Sequence, residues 1–407
     1  MRIGIIFECL EIAGGGERQA IMLARALLEQ GDEVTLYTLS VNCERCFPSD
    51  IASLRIVTPS TARRLSKSKI RFFGLLFQKI DELRRARELA LLLPDDLDAI
   101  NPHEMFAAKV AYFYKRRHPH VRSIMMLNDV YTASWSLLDD PLFGPKPRSF
   151  FARIRGAIID RFDQIYVRAQ DIVLVLNERS IALAKRYLRV NARVIRSAAD
   201  VEHFQYKARA PIAAGRPIEI LASGIMYVHR RYEDTIRAVA LLRRGGLSVR
   251  LRIIGEWNHK ASGRTYYEKL RALVAELGLE DAVVFSGAVS EEELRAAYYR
   301  ADMLVAATHM QTWGLATFEA LATGLPVIIS KTAGAAEVLT DGEHALLVEP
   351  GDPNDIARVI KRLAEDPVLY SRISSEGAAY VRRSFSWDRY ARDMRQFLAG
   401  ENQARKP

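Results

Sequence analysis

Short apolar runs alternate with helix-patterned segments along the whole chain, and no other feature restricts its fold as much. The first run, residues 3–7, leads to Gly14-Gly15-Gly16. A helical pattern at 18–30 then closes on Gly31 before a second run at 33–39. Further runs fall at 99–101, 123–127 and 172–176, then at 218–222, 250–254, 283–286, 303–306 and 327–329. Such continuous runs predict strands covered on both faces. Strands separated by helices predict doubly wound parallel sheets of the α/β class. A chain of 407 residues is long for one such domain and natural for two.

Pro211, Gly215 and Pro217 mark the break between the halves. Residues 1–205 read as an N-terminal domain, 206–217 as a linker, 218–386 as a second domain, and 387–407 as a closing amphipathic helix. Hydrophobic residues at 49% and charged ones at 27% suit a soluble globular protein. No apolar run nears the roughly 18 residues of a membrane span. The N-terminus reads as a buried strand rather than a signal peptide. Cys43 and Cys46 form a C-x-x-C, but no partner pair follows at metal-ligand spacing.

Of the net charge of +10, +8 lies in residues 1–200. A basic half of this kind suits an anionic partner. Between Arg63 and Arg87 basic residues interleave with Phe72, Phe73, Leu75, Leu76 and Phe77. That pattern fits a helix on an anionic membrane surface, and equally a helix packed by its apolar side.

The stretch from His309 to Ile329 reads as loop, glycine turn, helix, Gly-Pro turn and buried strand. A helix beginning after Gly314 aims unpaired N–H groups of Leu315 and Ala316 forward, which suits an anion. Glu319, one turn in, suits the vicinal hydroxyls of a ribose. Gly14-Gly15-Gly16-Glu17-Arg18 offers a similar glycine turn before the first helix.

The block Gln311 to Glu319, spaced Q-x7-E and followed by G-x-P-V-I, resembles the nucleotide-sugar site of family 4 retaining glycosyltransferases, where the pattern is E-x7-E. The resemblance runs from Gly14 through the segment Val194 to Asp200 to the closing helix. It implies the GT-B fold: two Rossmann-like doubly wound domains facing across a cleft. It implies transfer of a hexose from a nucleotide diphosphate sugar to an acceptor hydroxyl, with retention. The opening G-G-G-E-R-Q-A and the later E-R-C-F are similar to the lipid-linked-oligosaccharide mannosyltransferase branch, which would make the sugar mannose and the acceptor a glycolipid or polysaccharide precursor.

The resemblance also implies residue roles. Gln311, Arg230 and His103 would act on the donor sugar and its diphosphate. Gly14, Gly15, Gly224, Arg231, Gly255, Gly287, Gly314, Leu315, Ala316 and Glu319 would hold the donor nucleotide. Asn128 and Asp129 would touch a sugar. The chain departs from the family at Ile225, where a cation is usual, at Gln311, and at Asn128, where a histidine is frequent. Asp96-Leu97-Asp98 has the form of a metal-diphosphate motif of another fold, but it precedes its strand, whereas ligands gather at strand exits. No metal and no cofactor are expected beyond the nucleotide sugar itself. The expected partners are that sugar, a saccharide or lipid-linked acceptor and an anionic membrane surface, not nucleic acid, in the cytoplasm. A sugar-nucleotide epimerase, a phosphorylase and a non-catalytic nucleotide-sugar-binding subunit stay open as alternatives.

Overall fold

In the computed structural model the chain forms two compact α/β units. The structure describes residues 1–60, 74–130, 132, 150–258 and 261–401. Of the basic stretch that begins at Arg63, residues 63–73 lie outside the described residues.

The first unit holds a seven-stranded sheet. Its strands are β1 (Arg2–Ile6), β2 (Glu33–Tyr37), β3 (Ile56–Val57), β4 (Ala99–Pro102), β5 (Arg122–Leu127), β6 (Ile172–Val175) and β7 (Arg193–Val194), in the order β3-β2-β1-β4-β5-β6-β7. All pairings are parallel, for example Ile3 beside Val34 on one side and Ala99 on the other. The helices α1 (Gly15–Glu29), α2 (Gly74–Ala90), α3 (Glu104–Lys115) and α4 (Phe150–Arg168) cover it. Apolar residues fill both faces: Tyr37, Leu89, Ile100 and Phe106 in one cluster, Met125, Leu127, Tyr166 and Val175 in the other. Each fully buried aliphatic chain contributes about 1.5–3 kcal/mol.

Lys109 on α3 is only 1% exposed, and its Nζ stands 2.8 Å from Glu82 and 2.9 Å from Asp163. Lys79 pairs with the same two carboxylates at 2.9 and 3.4 Å, and this charge-balanced group of four clamps α2 and α4 to α3. Unpaired, the buried ammonium would cost several kcal/mol.

The second unit has strands β8 (Ile218–Ser223), β9 (Val249–Ile254), β10 (Val283–Gly287), β11 (Met303–Ala306), β12 (Val327–Ser330) and β13 (Leu346–Val348), ordered β10-β9-β8-β11-β12-β13. Its helices are α5 (Tyr232–Arg244), α6 (Ala261–Glu276), α7 (Glu291–Arg300), α8 (Leu315–Ala322), α9 (Pro353–Glu365) and α10 (Pro367–Ser384). In both sheets the strand order reverses beside the first strand, and crevices for ligands open at such points.

The division falls between Ser197 and Ala198, not after residue 205. The reason is packing: the Ala199 N–H goes to the Phe385 carbonyl, and the Phe204 ring lies 5.5 Å from that of Tyr298. The 206–217 segment is not a free tether either. The Lys207 N–H bonds the Thr323 carbonyl, and Arg209 bonds the carbonyls of Tyr298 and Ala301. The last helix, α11 (Trp387–Ala399), belongs to the first unit. There Arg395 pairs with Asp32 at 2.9 Å and Gln30 bonds Asp388.

Candidate active site

In the second unit the loops after β8 and β11 meet at the switch point. The His309 N–H donates to the His229 carbonyl at 2.7 Å, and the Thr308 hydroxyl donates to the same oxygen at 3.1 Å. Burial pushes the His229 imidazole down to about 3, so it is neutral near pH 7.

Gly314 caps α8 with φ +94°, a conformation that favours glycine. No side chain caps this helix, and Thr317 is the first residue whose N–H turns back, to the Gly314 carbonyl. Leu315 and Ala316 are thus left to present N–H groups at a positive helix end. Gln311 folds over this turn: a Cβ on Gly314 would stand 3.2 Å from its Oε1. The Gln311 carbonyl accepts the Gly334 N–H at 2.6 Å, which ties the loop to the segment after β12. Trp313, 3% exposed, anchors the loop by stacking on Phe318 at 4.3 Å.

The glycines predicted at strand exits lie side by side. A Cβ on Gly255 would collide with the Gly224 carbonyl, and the Gly255 N–H bonds the Gly287 carbonyl at 2.9 Å. The half-buried Arg230 guanidinium covers Gly224, where a Cβ would lie 2.7 Å from Arg230 Cζ. Arg230 Nε is buried and has no hydrogen-bond partner among the described residues. Trp257 is a residue that sequence reasoning missed. Its ring stacks on Tyr267 at 4.3 Å and borders Gly287. An aromatic two residues past a strand-end glycine was the available signal.

Arg231, expected on the donor diphosphate, sits in the left-handed region at φ +53° and grips Asp234 through two hydrogen bonds of 2.7 and 2.9 Å. A further ion pair joins it to Glu233 at 3.3 Å. Its charge is spent at the start of α5. Glu319 is 7% exposed and accepts a hydrogen bond from the Tyr298 hydroxyl at 3.2 Å. Tyr298, also missed, therefore orients the carboxylate.

The remaining expected residues gather in the first unit. Helix α1 starts at Gly15, three residues before the predicted start, with Gly14 as its cap. The Glu17 carboxylate lies against Gly14 at the turn where the anion cradle was expected. His103 is fully buried, its Nε2 pairs with Asn101 Oδ1 at 2.8 Å, and burial lowers it to about 3. Strand pairing continues through it, beside Met126, and draws the ring under the surface. Asn128 and Asp129 follow β5. The Asn128 N–H donates to Glu104 Oε1 at 3.0 Å. Glu104, not foreseen, has φ +68°; burial first, and the Asp129 charge second, raise its carboxyl to about 8. Asp96 and Asp98 lie at the opposite sheet edge and are held by Arg2.

A family description, Glycosyltransferase Family 4, matches residues 13–203, and a second, Glycosyl transferases group 1, matches residues 206–380. The chain is 30% identical to mannosylfructose-phosphate synthase of Agrobacterium fabrum over 182 residues, which span 44% of this chain and only 40% of that protein. It is 25% identical to D-inositol 3-phosphate glycosyltransferase of Stackebrandtia nassauensis over 396 residues, 94% of this chain and 86% of that one. Sucrose-phosphate synthase of Thermosynechococcus elongatus superposes with a TM-score of 0.75 at 20% identity, covering 100% of both chains, which shows the fold. With the two matches in tandem and the GT-B architecture, the chain belongs to glycosyltransferase family 4.

Proposed function

We propose that this chain is a retaining glycosyltransferase that moves a hexose from a nucleotide diphosphate sugar to an acceptor hydroxyl, on a glycolipid or polysaccharide precursor. The bond from the anomeric carbon to the diphosphate oxygen breaks. A bond from that carbon to the acceptor oxygen forms on the same face. The acceptor proton leaves on the diphosphate. The reading is carried by one juxtaposition: Arg230 over Gly224, and Gln311 over the Gly314 helix start, on the loops that meet at the switch point. The developing negative charge falls to Arg230 and to the N–H groups of Leu315 and Ala316, a fixed donor set that needs no reorganisation. Gln311 holds the donor sugar and Glu319 the ribose. A panel of nucleotide sugars, scored for nucleoside diphosphate release with and without lipid extract, tests the reading. NMR of the product reads the anomeric configuration. An isomerised nucleotide sugar formed without acceptor would favour the epimerase instead.

We also infer that the enzyme works on an anionic bilayer surface. Support comes from α4, which carries large apolar side chains on its outward side. Phe151 is 81% exposed and Ile158 65%, with Ile154 and Ile165 on the same stripe, while Asp160 and Gln164 face inward. Arg153, Arg155, Arg161 and Arg168 are exposed beside the stripe. An apolar stripe edged by cations suits the boundary between acyl chains and anionic headgroups. Among the described residues no helix is long and apolar enough to cross a membrane.

A further inference from the structure

A cavity of about 200 Å³ opens at the C-terminal end of α4, lined by residues 167–168, 170–173 and 189–191. The lining comes from the segments that lead into β6 and β7. The cavity therefore lies at the strand-entry edge of the first sheet, whereas substrates of such folds gather at strand exits. Two arginines line it. Arg168 ends α4, and Arg189 stands at the turn before β7, in the left-handed region at φ +57°. Both are exposed, and neither has an ion pair or a side-chain hydrogen bond among the described residues. The other charges at the rim are matched: Lys115 pairs with Asp171, whose carboxylate also accepts the Ser123 N–H at 2.7 Å. Gln170 quiets the negative helix end. Its N–H donates to the Val167 carbonyl at 3.2 Å, and its side-chain amide to the Tyr166 carbonyl at 2.6 Å. Two unmatched guanidinium groups are left facing the cavity, which suits an anion.

Charge alone does not name the anion, but continuity with α4 does. The exposed Phe151, Ile154, Ile158 and Ile165 recur at helical spacing, and Arg168 follows Ile165 by one turn, so the apolar stripe runs into the cavity. A soluble anion would use the cavity only, whereas an amphiphile uses both. We propose that the cavity holds the phosphodiester of an anionic glycerophospholipid between Arg168 and Arg189, while the stripe sits among acyl chains. A guanidinium offers a phosphate two parallel N–H donors, which makes a site out of what would otherwise be diffuse attraction. Because the cavity lies at the strand-entry edge, the lipid is an anchor and not the acceptor. The inference rests on the bilayer reading above and gives it a defined lipid site.

The first test is flotation of the full chain with phosphatidylcholine vesicles that contain or lack phosphatidylglycerol. Arg168→Ala with Arg189→Ala should weaken binding to the anionic vesicles at least about tenfold more than Arg153→Ala with Arg155→Ala, which removes the same charge from the flank of α4. Lysine at 168 and 189 should restore only part of the loss, since an ammonium is a point charge. Equal losses in the two alanine pairs would overturn the site. The second test is calorimetry with monomeric dihexanoyl phosphatidylglycerol against inorganic phosphate. The lipid should bind at least about tenfold more tightly than phosphate, and the Arg168→Ala, Arg189→Ala protein should lose it. Phosphate that binds as tightly as the lipid, or a lipid that binds neither protein or both alike, would overturn the proposal. The bilayer reading is decided separately. Flotation undiminished in the Arg168→Ala, Arg189→Ala protein removes the site and leaves the bilayer standing. Arginine-dependent binding of the monomeric lipid without flotation does the reverse.

Discussion

The Gln311 side chain lies over Gly314, within 3.2 Å at Oε1 and 3.4 Å at Nε2 of where a Cβ would be. The family's glutamate position thus keeps its place at the helix start while its charge is lost. A glutamine both donates and accepts, so it can hold a sugar hydroxyl, but it adds no negative charge to a cationic transition state. Gln311→Ala should cut turnover by about 100-fold and leave nucleoside diphosphate affinity nearly intact. Gln311→Glu should stay active or change its preferred sugar. Turnover and nucleotide affinity measured on both variants decide; unchanged turnover in Gln311→Ala would show that the side chain does not touch the donor.

Arg230 and Arg231 are adjacent, yet they should fail differently. Arg230→Ala should lower turnover by about 100-fold through the lost diphosphate contact. Arg231→Ala instead leaves Asp234, 1% exposed at its side chain, without its bidentate partner. It should cost about 3 kcal/mol in denaturant unfolding. Normal turnover in Arg230→Ala would move the diphosphate elsewhere.

Glu319→Ala removes a carboxylate that can accept from two ribose hydroxyls. Nucleoside diphosphate binding, followed by calorimetry, should weaken roughly tenfold or more, as for a charge-assisted hydrogen bond. Tyr298→Phe should weaken it less, because it removes only the group that orients Glu319.

Glu104 gives stability a pH dependence whose sign is fixed. Its carboxyl rises from an ordinary 4.5 to about 8 in the folded chain. Between those values the folded chain keeps a proton that the unfolded chain has released. Its stabilising contribution is therefore complete below about 4.5 and lost as pH climbs through about 8. Melting temperature should fall across that window, and Glu104→Gln should flatten the fall. An identical slope in the variant would contradict the assignment.

Flotation with vesicles tests the α4 stripe. Anionic vesicles should bind the enzyme, binding should weaken as salt rises, and Phe151→Ser with Ile158→Ser should abolish it. Free protein at low salt would mean that the stripe meets something other than lipid.

Much of the fold was legible because buried parallel strands carry continuous apolar runs; the strand at Met303 to Ala306 matches its predicted span. Short edge strands such as Ile56–Val57 and Leu346–Val348 escaped, since two or three residues carry no periodicity. The glycines at 224, 255, 287 and 314 each stand where backbone or a side chain approaches closely. Local sequence does not reveal that Arg231 pairs with Asp234 or that His103 pairs with Asn101. Glu104 and Tyr298 act through neighbours distant in sequence, and no spacing rule finds them.

Metal-free sugar transfer is tested by product stoichiometry with a nucleotide sugar, an acceptor and excess EDTA. One new glycosidic bond is expected for each nucleoside diphosphate released, with dependence on acceptor and activity undiminished by the chelator. Activity that disappears in EDTA and returns with manganese or magnesium would contradict a diphosphate held by Arg230 and the α8 N-terminus alone. Absence of any glycosylated product across the donor panel would contradict the claim of transfer itself.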